Sequence, residues 1–68
     1  MRYAVVIERA EHNCAAYVPD LPGCVSTGKD MEEVEKNIRE AICFHLEGLK
    51  ADGLPIPKAS AVCEYVEA

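Results

Sequence analysis

The chain has 68 residues, half of them hydrophobic and 28% charged, which describes one folded domain, residues 1–68, rather than a disordered segment. Seven basic residues against twelve acidic ones leave a net charge of −5, which argues against binding nucleic acid through its phosphates and against an anionic membrane surface. A domain this short is marginal alone, so a partner subunit would help it, and a basic protein is its natural electrostatic complement.

The first apolar run is Tyr3–Ile7, which breaks into charge at Glu8, too early for a signal peptide. No run approaches a membrane span, and a cytoplasmic location is expected. A polar stretch from Glu8 to Asn13 leads to a second run, Cys14–Val18, and the two read as a β-hairpin. Tyr3, Val5 and Ile7 point one way and Ala4 and Val6 the other, so the first strand is apolar on both faces. Pro19 ends the second strand. Pro22-Gly23 is turn chemistry, because proline presets φ and glycine accepts a positive one. Cys24–Thr27 is read as a third, short strand.

The helix is the clearest local signal. Asp30 suits an N-cap, Glu33 stands at the capping-box position, and Glu32, Glu33 and Glu35 crowd the positive end of the dipole. Val34, Ile38, Ala41, Ile42, His45, Leu46 and Leu49 form one apolar stripe. Gly53 and Pro55 end the helix, which is predicted over about residues 31–51. Pro55-Ile56-Pro57 is a stiff connector, and Ala61–Val66 is read as a last strand. The fold class is therefore α+β, in the order β-β-β-α-β. A right-handed crossover would put the last strand beside the first, giving a four-stranded sheet ordered 3-2-1-4 with the helix on one face. A second copy of the chain is the simplest cover for the other face, so a homodimer or higher homo-oligomer is expected.

Chemistry-bearing residues are few. Cys14, Cys24, Cys43 and Cys63 show no C-x-x-C spacing, and they read as free thiols in a reducing compartment, with Cys14, Cys24 and Cys63 as small apolar strand or turn residues. His45 lies mid-stripe with Ala41 and Leu49 one turn away on either side, which suits a packed histidine better than a ligand. Asp20 has two readings: an Asx-type stabiliser of its own turn, or a group in a binding loop. A lone carboxylate cannot hold the paired metal ions of a nuclease. Phe44 lies off the stripe, a hint of a contact surface. No metal, cofactor or catalytic set is expected.

The residues Tyr-Ala-Val-Val-Ile-Glu, then Ala-Tyr-Val-Pro-Asp-Leu-Pro-Gly-Cys, then Gly-x-x-x-Glu-Glu-Val, and finally Pro-Ile-Pro resemble the N-terminal domain of HicB-type antitoxins over nearly the whole chain. The resemblance implies a partial RNase H-like fold without nuclease activity. It also implies a partner: a small basic HicA-type ribonuclease toxin with a catalytic histidine, neutralised by direct binding. Many family members carry a C-terminal DNA-binding domain; the chain ends two residues after its last predicted strand, so no direct DNA binding is expected. The helix start reads Gly-Lys-Asp-Met where the family more often has Gly-Asp-Thr, and Asp30 still caps. The expected partner contacts are Asp20, Leu21, Pro22 and Cys24 in the loop, then Glu32 and Glu35 in the first helical turn. The alternatives are a standalone oligomeric interaction module and a small metal-dependent nuclease built on Asp20.

Overall fold

The computed structural model describes residues 2–68. Three strands and one helix follow in chain order: β1 (Val6–Arg9), β2 (Cys14–Tyr17), β3 (Val25–Gly28) and α1 (Met31–Ala51). The strands form an antiparallel meander ordered β1-β2-β3. Arg9 faces Cys14 at the hairpin end, where the Ala10 amide donates to the Asn13 carbonyl at 2.8 Å. The Glu8–Asn13 stretch is thus shorter as a loop than its polarity implies, because Glu8 and Arg9 still pair with β2.

The helix begins and ends where its signals stand. The Asp30 side chain accepts the Glu33 amide at 2.8 Å, and Glu33 reaches back to the Lys29 amide at 2.8 Å, one residue earlier than in the usual box. At the other end Gly53 takes φ +68°, the Leu54 amide donates to the Leu49 carbonyl, and the Gly53 amide donates to the Lys50 carbonyl. That pair of bonds is a Schellman stop.

The helix lies across β3 and β2. Gly28 permits the approach: a Cβ there would stand 2.5 Å from the Val34 nitrogen. The core is Cys14, Ala16, Val18, Leu21, Cys24, Val34 and Ile38, with Tyr3, Val5, Ile7, Ala41, Ile42 and Leu46 packed around it. Beside β1 the helix leaves a groove of about 320 Å³ lined by Val5, Ile7, Glu35, Ile38, Arg39 and Ile42. On the opposite face of the sheet Val6, Tyr17 and Val25 stand in register; Tyr17 and Val25 are exposed, Val6 is half-buried, and no described helix or strand covers them.

The predicted fourth strand is not formed, and neither is the order 3-2-1-4: from Leu54 onward no described residue enters a ladder. The physical reason is local. Ladder formation needs a buried face to repay the ordering of the chain and set its register. In this segment Val62, Tyr65 and Val66 are all more than four-fifths exposed. The amides of Ser60 and Ala61, where such a ladder would begin, are already donated to the Asp20 carboxylate. The segment nonetheless runs alongside the N-terminal strand, since a cleft is lined by Val5–Ile7 on one side and Val62–Tyr65 on the other.

Candidate functional site

The loop joining β2 to β3 is built from two successive turns. The Leu21 amide donates to the Val18 carbonyl at 3.0 Å, and the Cys24 amide donates to the Leu21 carbonyl at 3.0 Å. Pro22 sets the second turn, and Gly23 at φ +83° completes a type II geometry that an L side chain would strain. A third bond, from the Val18 amide to the Cys24 carbonyl at 3.2 Å, closes the loop at its neck.

These turns sort the loop's side chains. Leu21 is fully buried and Cys24 nearly so, both turned into the core, while Pro22 remains at the surface. Burial pushes the Cys24 thiol above its ordinary value, which keeps it protonated and unreactive. All four cysteines are unpaired. Cys14 and Cys24 serve as small apolar residues, whereas Cys63 is exposed in the C-terminal segment and does not.

Asp20 takes neither the local turn role nor a free position. Its Oδ2 accepts the amides of Ser60 and Ala61, each at 3.0 Å, and its Oδ1 accepts the Ser60 hydroxyl at 2.9 Å. The amide of Ala61 above all, then the Ser60 hydroxyl and amide, hold the carboxyl below its ordinary value. The carboxylate therefore fastens the loop to a segment forty residues further on. A second fastening lies nearby, where the Tyr3 hydroxyl donates to the Pro57 carbonyl at 2.6 Å. Sequence reasoning found Asp20 but missed Ser60 and Ala61 as its partners, and Tyr3 with Pro57 as the second fastening, since no spacing announces contacts across forty or more residues.

Glu32 and Glu35 are exposed on the first turns of α1, and Glu35 stands with Arg39 at the rim of the groove beside β1. Glu32 and Glu35 line a shallow cleft with Lys29, Lys36 and Arg39, and no residue of the loop is among its lining. His45 is half-buried on the stripe. Among the described residues no group of three or more His, Cys, Asp or Glu stands close enough to hold a metal ion. No described helix is long and apolar enough to cross a membrane.

Fold and site together define a small acidic α+β domain whose distinctive features are a clasped loop and uncovered apolar surface. The family model described as "HicB_like antitoxin of bacterial toxin-antitoxin system" matches residues 3–68, and the chain belongs to that family. A UPF0150 protein of Helicobacter pylori is 46% identical over 63 residues, covering 91% of this chain and 88% of that protein. A UPF0150 protein of Thermoplasma acidophilum is 40% identical over 62 residues, covering 90% of each. An uncharacterized 14.9 kDa protein in the rep-hol intergenic region of Haemophilus phage HP1 is 38% identical over 66 residues, or 97% of this chain. The chain spans half the length of that phage protein. No solved structure matches the chain.

Proposed function

We propose that this chain is an antitoxin that neutralises a small basic HicA-type ribonuclease by lying against it, with no catalytic step of its own. Membership of the HicB-like antitoxin family carries this reading. The net charge of −5 supports it, because an acidic inhibitor and a basic ribonuclease attract one another at long range. Within the loop Asp20 and Pro22 supply the surface, and Leu21 and Cys24 hold that surface in shape from beneath. Glu32 and Glu35 add charge from the helix. The work takes place in the cytoplasm.

The same reading includes a homodimer or higher oligomer. The outer row of Val6, Tyr17 and Val25 is apolar and nearly free of charge, which suits a second copy of an acidic chain better than any charged face does. It also includes a fourth strand at the open edge of β1, supplied by residues 61–66 once that face is covered, which completes the order 3-2-1-4 of a partial RNase H-like unit.

Mixing the chain with a small basic HicA-type ribonuclease from the same genome tests the proposal. RNA cleavage is expected to stop at stoichiometric amounts, and the affinity to fall as salt rises. Cleavage that continues unchanged in excess of this chain would end the proposal. A standalone oligomeric module is the second reading, favoured by the uncovered sheet face, and it predicts self-association without inhibition. A nuclease built on Asp20 predicts metal-dependent cleavage that Asp20→Asn abolishes.

A further inference from the structure

The C-terminal arm, residues 54–68, exposes apolar side chains that the core does not use: Val62, Tyr65 and Val66. Val62 and Tyr65 line one cleft with Val6 of β1. Val6 in turn begins the row that runs through Tyr17 to Val25 across the sheet. Arm and row are therefore continuous at Val6. The outward positions of the ladder are Val6 and Glu8, Ala15 and Tyr17, and Val25 and Thr27, so Glu8 alone is charged there. On the arm, Glu64 and Glu67 add a polar rim. A tyrosine buries roughly 150–250 Å², so Tyr17, 43% exposed, offers about 90 Å², and Tyr65, 102% exposed, adds about 200 Å². With Val25, Val62 and Val66 the surface approaches the roughly 600 Å² per partner found at the low end of specific interfaces, which the sheet row without the arm does not reach.

We propose that a second copy of this chain docks on the combined surface of sheet and arm, and that the Asp20 clasp governs the docking by holding the arm in place. Each copy carries a net charge of −5, so two copies meet most easily where few carboxylates face one another, and this surface meets that condition. Asp20 accepts the amides of Ser60 and Ala61 and the Ser60 hydroxyl, and Val62 is the next residue. With the clasp closed, the arm's apolar side chains already stand beside β1. With it open, docking has to order them first, and affinity falls. Asp20 is thus a positioning residue for self-association. The inference rests on the homo-oligomer part of the proposed function and adds to it the arm and its control. Binding of a ribonuclease plays no part in it.

Sedimentation equilibrium of the full chain tests this with four proteins: wild type, Val62→Ser/Tyr65→Ser/Val66→Ser, Asp20→Asn, and the combination of the two variants. The arm variant is expected to weaken self-association at least tenfold while its denaturation midpoint stays at the wild-type value, because the replaced side chains are exposed. Asp20→Asn is expected to weaken self-association several-fold. In the combination it should add nothing to the arm variant, since the clasp acts only through the arm. Strictly multiplicative effects would mean that Asp20 touches the second copy directly, and the positioning role would fall. If the wild type associates and the arm variant associates equally well, the arm lies outside the interface and the proposal fails, while the homo-oligomer reading stands. If the wild type stays monomeric at every concentration, both fail and the antitoxin reading is untouched.

Discussion

Residues 2–53 and residues 54–68 are held by different means. The first region has strand ladders, two stacked turns, a capped helix and a shared core in which Leu21 and Val34 are completely shielded from water. The second lies on that framework through the Tyr3 hydroxyl and the Asp20 carboxylate, with Ile56 half-buried and Leu54, Val62, Tyr65 and Val66 exposed. The contrast separates order that comes from burial from order that comes from a few polar contacts. The first kind resists solvent because its loss exposes apolar area. The second kind costs little to open, because water replaces each hydrogen bond it loses. A segment so held is suited to change its pairing when a partner arrives.

The two regions meet at the loop, and the largest expected effect lies there. Leu21→Ala removes a fully buried side chain from beneath the turns and should cost about 2–5 kcal/mol of stability, read by chemical denaturation. It should also loosen the C-terminal segment, since Asp20 is the neighbouring residue. Gly28→Ala comes next. Its new methyl group would meet the Val34 backbone at 2.5 Å, so the helix must shift at its N-terminal turn, at about 1–3 kcal/mol. Such a change should leave the Asp20 contacts in place. A Gly28→Ala protein as stable as wild type would show that the helix seat on β3 is looser than its geometry implies.

Asp20→Asn acts on the second region alone. An amide cannot accept all three donors with both of its terminal atoms, so residues 60–61 should come free while the denaturation midpoint of the framework barely moves. Trypsin reports this directly, because the exposed Lys58 lies just before the clasp. Cleavage after Lys58 should become faster, and amide exchange at Ser60 and Ala61 should rise with it. Acid should reproduce the effect. The carboxyl is held below its ordinary value of 3.8, so the clasp is fully present above that pH and is lost as pH falls through the lowered value. Asp20→Asn should remove this pH dependence of cleavage.

What was legible in the sequence follows the same division. The helix ends were plain because Asp30, Glu33 and Gly53 act within a few residues of themselves. The Pro22-Gly23 turn was plain for the same reason. Leu21 was not: between Asp20 and Pro22 it reads as a surface residue, and only the two turns, once formed, direct it inward. The short, mostly apolar run Ala61–Val66 reads as a strand, but such a run reports what a segment can pair with and not whether a face is there to cover it. The company of Asp20 could not be read at all, since its donors are ordinary backbone amides and a serine forty residues away.

The smallest effect is the one that tells most about the second region. Tyr3→Phe removes a single hydrogen bond to the Pro57 carbonyl, a loss of about 0.5–1.5 kcal/mol. Because that carbonyl is only half-buried, water can reach it, and the loss should sit at the lower end. Only two residues separate Pro57 from Ser60, so the two fastenings act on one short piece of chain. If the segment opens as a unit, tyrosine and aspartate stabilise the same closed state, and removing either leaves the other with less to hold. The double variant Tyr3→Phe/Asp20→Asn should then speed cleavage after Lys58 by less than the product of the single effects. A strictly multiplicative result would mean that the two contacts open separately. In that case the chain has two independent hinges after α1, rather than one tail that lifts whole.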